Sequence, residues 1–374
     1  MDLVGFTLIV DDTVHPDGTT SMEQVGGGGP QTLWGYQLYR GGGARVGLSA
    51  GVGRDLPASV RAWLEGCIGC ELSGLIESDL PTPRAWQVME WDGRRTQVWR
   101  SPECDALYGQ LRPSFEQLPA SFRASRSYHL GIHAAHPPMR LLGALRDAAH
   151  ARGGLLSIET YTACDAPLLP ARREELSRLL ALVDVFSPNE AEARSIVGAS
   201  PEAPQDPSRA EAEALGIAEA LLALGAERVL LRRGERGVLL ADGRSGEAVW
   251  VPAVPGTRVR DVVGCGNACC GATLAALAAG EPLAAAAAWG CAAGSVMAEV
   301  EGVPRAPPRE LRADAAERQA RALALARPAA PLGKRGALRV EASAAGRARA
   351  AVRRAAAGRP TACARCAPLA ARVP

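Results

Sequence analysis

Apolar residues along the chain fall into short strand-length runs, and these alternate with helix-length amphipathic stretches. Residues 3–10 are apolar and strand-like, and Pro16-Asp17-Gly18 marks a turn after them. Gly26 to Gly29 lead into Pro30, which suits the first turn of a helix. Residues 45–53 form a short strand with a glycine-rich exit. Residues 86–91 and 96–100 alternate around Asp92-Gly93, a hairpin signal that predicts an exposed lid over about 85–100. Beyond it the pattern gives strands at 127–132, 154–159, 183–186, 228–232 and 237–241. Helices are expected at 139–152, 174–182, 210–225 and 267–279. That order predicts an α/β fold, a mostly parallel sheet with helices on both faces. Prolines 201, 204 and 207 put a surface loop at 199–208. The apolar run 283–298 is Ala-rich, short for a membrane span and bounded by Glu281 and Glu299, so it predicts a buried helix.

Composition changes this picture only at the carboxyl end. At 374 residues, with 47% hydrophobic and 22% charged residues, the chain can bury a large core. Residues 305–374 hold 16 Lys/Arg against 4 Asp/Glu, or +12 within a whole-chain charge of +2, so residues 1–304 carry −10. Residues 305–327 predict one more helix. Residues 328–374 are rich in Ala, Arg, Gly and Pro with few large apolar side chains, which predicts a disordered basic tail. That tail lacks interleaved aromatics, so no specific nucleic-acid partner is expected, and no membrane partner. The ten cysteines do not form an extracellular framework, and no signal peptide is visible, so a reducing, cytoplasmic location is expected. A monomer or homodimer fits this composition.

The chemistry concentrates in residues 256–272. Asp261 precedes a tight Gly264-Cys265-Gly266 turn, then Asn267 and a small-residue helix. Glycines let backbone N–H groups turn inward, and a helix N-terminus adds positive potential, so this turn can hold a phosphoryl group's charge. Taken alone, a Gly-Cys-Gly is only a turn. The segment resembles the second signature of the pfkB (ribokinase-like) kinases, Asp-Thr-x-Gly-Ala-Gly-Asp, with Asn267 where that family has its acidic catalytic base.

Other motifs follow in the order of that family over roughly residues 3–304. Gly26-Gly27-Gly28-Gly29 resembles the first signature, which implies that Gly27 and Gly28 let a sugar or nucleoside approach. Gly51-Val52-Gly53-Arg54-Asp55 resembles the segment after it, with Asp55 toward the substrate. Asp11, with Asp12 as rival, stands where such kinases place an acceptor for a substrate hydroxyl. Asn189 and Glu192 resemble the Asn-x-x-Glu motif, implying that Glu192 holds Mg²⁺ through water; read by themselves they are a helix cap and a solvated acid. Arg232-Arg233-Gly234-Glu235-Arg236-Gly237 resembles the nucleotide loop, with Arg232 where Thr is usual, so Arg232 is either an added phosphate contact or a surface charge. Pro16-Asp17-Gly18, the four glycines, Thr82-Pro83-Arg84-Ala85-Trp86 and the Gly264–Asn267 turn are similar to a plant, algal and fungal branch of the family. That branch is related to the yeast maintenance-of-killer pfkB-like protein, in which Asn also replaces the base.

The resemblance implies a ribokinase-like three-layer sandwich over residues 1–304 with a small β-lid. It implies ATP and Mg²⁺ as cofactors, K⁺ or another monovalent cation near Asp261, and a small-molecule alcohol as partner. The expected activity is phosphoryl transfer to an alcohol of a sugar or nucleoside, slowed because an amide takes no proton at neutral pH. The alternative is an inactive pseudokinase that senses a ligand or acts as a scaffold. His129, His133 and His136 lack a zinc-helix spacing and read as a strand-end loop, Cys67/Cys70 as core packing, and Cys363/Cys366 as part of the tail.

Overall fold

A computed structural model describes residues 1–91, 95–101, 104–134, 136–162 and 170–332. The expected hairpin tip at Asp92-Gly93, Cys363/Cys366 and the basic tail from residue 333 lie outside them. Fourteen strands form two sheets among the described residues. The strands are β1 (Leu3–Phe6), β2 (Ile9–Val14), β3 (Thr20–Gly26), β4 (Val46–Gly53), β5 (Leu75–Ser78), β6 (Arg84–Met89), β7 (Arg95–Trp99), β8 (Ser127–Ile132), β9 (Leu156–Thr160), β10 (Val185–Ser187), β11 (Arg228–Arg232), β12 (Val238–Asp242), β13 (Ala248–Val251) and β14 (Arg327–Pro328). The helices are α1 (Gly28–Arg40), α2 (Ala58–Ala62), α3 (Asp105–Leu111), α4 (Ala120–Arg123), α5 (Met139–His150), α6 (Pro170–Leu180), α7 (Glu190–Val197), α8 (Pro207–Ala223), α9 (Cys265–Ala278), α10 (Leu283–Ala298) and α11 (Pro308–Ala324).

The large sheet runs β14-β13-β12-β11-β10-β9-β8-β1-β4-β5, parallel from β11 to β5 and antiparallel from β11 to β14. Successive side chains point to opposite faces of a strand, and the core divides accordingly. Leu230 and Leu240 join the cluster under α1, α9, α10 and α11, whereas Val229, Leu231 and Leu239 join the cluster under α5 to α8. This is the α/β sandwich expected from the alternation of elements. The second sheet, β3-β2-β6-β7, is a lid in which β2–β3 and β6–β7 are antiparallel and β2–β6 is parallel.

Several expectations change at their edges. The apolar run 3–10 is two strands in two sheets, because Thr7 takes φ 77° and carries the chain from one to the other. The Thr7 carbonyl then accepts the Gly29 N–H at 3.2 Å, which ties the glycine loop to this break. Helix α1 begins at Gly28 rather than Pro30, behind Gly27 at φ 82°. Helix α8 begins at Pro207, inside the expected loop 199–208, capped by the Asp206 carboxylate. Strands β3 and β5 carry no strong apolar signature and were not anticipated from the pattern; nor was β13, although its four residues, Ala248 to Val251, are apolar and buried. The body extends past residue 327: Ala329 donates to the Ala248 carbonyl, and Leu332 packs on the core. Among the described residues no helix is long and apolar enough to cross a membrane.

The arrangement of the site depends on how closely α1 and α9 cross. A Cβ on Gly35 would lie 2.1 Å from the Ala268 carbonyl oxygen, and one on Gly271 would lie 1.9 Å from that of Thr32. Backbone cannot yield as a side-chain tip can, so only glycine fits at either position. Gly271→Ala is expected to lower stability by about 1–3 kcal/mol, the usual cost of overpacking, as read by urea denaturation. An unchanged midpoint would show that the crossing can open without cost.

Candidate active site

The N-termini of α1 and α9 meet over the carboxyl ends of β9, β10 and β11. In open parallel sheets this edge is where ligands bind. Gly264 caps α9 at φ 80°, and the first N–H groups of that helix have no intrahelical partners. Over this turn lies Arg232, at the end of β11: a Cβ on Gly266 would be 2.1 Å from Arg232 Nη1. Arg232, only 12% exposed, therefore lies over the turn and is not a surface charge. Its Nη2 donates to the Ser187 carbonyl at 2.8 Å, while its Nε has no hydrogen-bond partner.

A cation at a helix N-terminus opposes the dipole, so carboxylates must accompany it. Glu159, at the end of β9, is 3% exposed and lies 3.2 Å from Arg232 Nη1 through Oε2. Glu192 Oε2 lies 3.7 Å from Arg232 Nη2. Burial pushes the Glu159 carboxyl up, but Arg232, His129 and Asn267 together hold it below the usual carboxylate range. Burial wins at Glu192 and raises it, although Arg232 opposes. Arg232 is shifted upward by Cys270, Glu159 and Glu192 against its own desolvation. Two carboxylates thus face one guanidinium.

The residues singled out from sequence separate into groups. Asn267, Gly266, Arg232, Glu192 and Gly28 come together: Asn267 Nδ2 donates to Glu159 Oε1, and a Cβ on Gly28 would be 2.8 Å from that same oxygen. Asn189 and Glu192 form a reciprocal capping box at α7, and Asn189 is bridged to Arg232. Glu192 is buried and is not a solvated acid. Among the described residues its carboxylate accepts at Oε2, from the Asn189 backbone N–H at 2.8 Å and Thr160 Oγ1 at 2.7 Å. Gly264 packs on Gln31 of α1, and Cys265 Sγ points back to the Asp261 carbonyl. Gly234 (φ 58°) and Gly237 (φ 80°) shape the turn after Arg232. Neighbouring Arg233 and Arg236 pair with Glu190.

On the lid side, Asp12 is locked by Arg84 at 2.6 Å and by Arg100, which leaves Asp11 as the carboxylate without a cationic clamp. Asp11 accepts from Gln87 Nε2 at 2.8 Å and faces Gly26. With Asp261 it lines a small cavity. Asp261 itself accepts Val263 N and Gly302 N, closing its own loop. Asp55 is exposed and binds the Thr82 N–H and hydroxyl at 2.7 and 2.9 Å, holding the entry to β6. His129 sits inside β8, not in a loop. Its Nε2 lies 3.5 Å from Glu159, and His129, Glu159 and Cys270 have potential ligand atoms within 4.8 Å of one another. The guanidinium on Glu159 competes with any metal there. Cys70 packs in the core as expected, and Cys67 Sγ reaches the carbonyls of Pro304 and Ala306. Sequence reading missed Glu159; its only signal was an acidic residue ending an otherwise apolar strand.

The chain matches the model of the pfkB family carbohydrate kinases over residues 20–309. It belongs to that family. Ribokinase from Arabidopsis thaliana, solved with ribose and ATP, is similar at 20% identity over 84% of this chain and 97% of that one, with a TM-score of 0.59. Ribokinase from Giardia lamblia is similar at 18% identity over 84% of this chain and 99% of that one, with a TM-score of 0.65. Adenosine kinase from Sinorhizobium meliloti matches at 19% identity over 84% and 98%, with a TM-score of 0.62. At such identities the likeness shows a ribokinase-like fold. No curated protein matches the chain.

Asp11 gives a stability test. Burial drives its carboxyl up to about 7, against a lowering by Gln87 and Arg95 and aided by Asp12 and Asp261. The folded state therefore holds a proton that the unfolded chain releases near pH 4. Stability from this group is full below pH 4 and is lost as pH rises through 7. Asp11→Asn is expected to flatten melting temperature against pH across that window and to raise stability at pH 8 by up to about 4 kcal/mol. Parallel profiles for the two proteins would contradict it.

Proposed function

We propose that this pfkB family member transfers a phosphoryl group from ATP to an alcohol of a sugar or nucleoside-like small molecule. The observation that carries the proposal is the convergence of the Gly264–Asn267 turn, the Arg232 guanidinium and Gly28 at one edge of the sheet. The residues fit a nucleotide phosphate: the first N–H groups of α9 lack intrahelical partners, and the Arg232 guanidinium lies over them through Nη1. They also fit a hydrated Mg²⁺ held through Glu192, since a carboxylate suits a hard cation that keeps its water shell. Bound there, the cation would neutralise charge on the phosphates. A monovalent cation near Asp261 stays part of this reading, beside the Val263 and Gly302 N–H groups that its carboxylate accepts.

The α9 N-terminus and Arg232 stabilise the charge that develops on the transferring group, which is the dominant requirement of this chemistry. Gly27 and Gly28 leave room for the acceptor alcohol, and Asp11 accepts one of its hydroxyls. Asn267 orients by donating and takes no proton. By itself the absence of an acid at 267 costs about 10²–10⁴ in rate. We place the chain in the plant, algal and fungal branch that shares this Asn. One observation favours the pseudokinase reading instead: Arg232 already rests on the turn, paired with Glu159.

MgATP is expected to raise the melting temperature of the purified protein. Gly266→Ala forces Arg232 off the turn and is expected to weaken MgATP by tenfold or more, about 1.4 kcal/mol, by calorimetry. Wild-type protein indifferent to millimolar MgATP would favour the scaffold.

A further inference from the structure

The kinase reading leaves a gap, since Asn267 takes no proton, and a carboxylate lies one hydrogen bond away from it. We propose that Glu159, at the end of β9, is the general base of this kinase, supplying from the sheet what an acid at 267 would supply from the helix. The proposal rests on the phosphoryl-transfer reading above.

Three contacts place the carboxylate where the two reactants would meet. Oε1 accepts the Asn267 amide, so it adjoins the position from which a base would act. The same oxygen lies 2.8 Å from where a Cβ on Gly28 would be, which puts it against the turn that admits the acceptor alcohol. Oε2 lies 3.2 Å from Arg232 Nη1, and Arg232 in turn rests on Gly266. One oxygen thus faces the alcohol side and the other faces the phosphoryl side. A counterion for Arg232 alone would need only the last contact. A residue larger than glycine at 28 would cover Oε1.

The groups facing Glu159 are Arg232 from β11, His129 from β8, Asn267 and Cys270 from α9, and, across Arg232, Glu192 from α7. Arg232 keeps the carboxylate ionised at rest, ready to accept a proton but weakly basic. A phosphate brought to Arg232 shares that positive charge. The hold on Glu159 then loosens and its basicity rises as the acceptor arrives. In the step itself the acceptor O–H passes its proton to Glu159 Oε1 while the acceptor oxygen forms a bond to the γ-phosphorus. The bond from that phosphorus to the β,γ-bridging oxygen breaks, and ADP leaves with the electron pair.

The test uses the full chain with MgATP and ribose, fructose or adenosine as acceptor, following ADP formation, with MgATP affinity measured separately by calorimetry. Wild-type turnover is expected to fall as pH drops through the titration of the base. Glu159→Gln should lower kcat by about 10²–10⁴ and remove that pH limb, with MgATP affinity within about threefold. Exchanging the two groups, Glu159→Gln with Asn267→Asp, should return at least tenfold of the lost kcat. A merely structural partner of Arg232 would not produce that rescue. If Glu159→Gln leaves Arg232 unpaired and fails to fold, Glu159→Asp keeps the charge but withdraws it by one methylene. It should hold the melting temperature and lose at least tenfold in kcat. The proposal is overturned by an unchanged kcat in these variants, or by lost MgATP affinity with kcat intact. Wild-type protein that binds MgATP yet turns over none of the three acceptors also overturns it. A wild type that binds no MgATP overturns the kinase reading itself, a separate result.

Discussion

Helices α1 and α9 cross with backbone against backbone, and the rest of the site follows from that contact. Gly35 faces the Ala268 carbonyl and Gly271 faces that of Thr32, so neither pair tolerates a side chain. The crossing brings two helix N-termini to the same edge of the sheet. Gly28 and Asn267, far apart in sequence, thereby reach a common oxygen on Glu159. The strained Thr7 fixes the other side, because it holds the Gly29 N–H while sending the chain into the lid.

That convergence creates an electrostatic problem, and the buried ion cluster is its solution. A guanidinium at a helix N-terminus is unfavourable and would be costly to bury alone. Glu159 and Glu192 make it tolerable, and each is itself oriented from outside the pair, by Asn267 on one side and by Asn189 and Thr160 on the other. Asp11 shows the complementary strategy on the lid side. Asp12 takes the arginines, and Asp11 stays buried with one amide donor and a raised carboxyl.

Much of this was legible in the residues. Strand β11 and helix α10 fall where the apolar runs put them, because a mostly buried element writes its length directly into the sequence. The Gly264–Asn267 turn was equally plain, since glycine spacing before a small-residue helix has few other uses. Strand β3 was not, because most of its residues are polar and only Val25 and Gly26 at its end are buried. Thr7 was hidden for a related reason: an apolar run says that residues are buried, not in which sheet.

What the sequence alone determined is the class of fold, the order of its layers and the presence of a glycine turn at a helix N-terminus that lacks an acid at 267. Periodicity and glycine spacing are local properties, and they survive in a string of letters. The state of Arg232 was decided only by tertiary structure, which put it on the turn rather than in solvent. So were the different surroundings of Asp11 and Asp12: Arg84 of β6 and Arg100, just past β7, take Asp12, while Asp11 keeps the Gln87 amide. Glu159 is the clearest case. As a letter it is one acidic residue ending an apolar strand. As a neighbour of Gly28, Asn267 and Arg232 it is the centre of the site, because charge interactions depend on distance in space and leave no period along the chain.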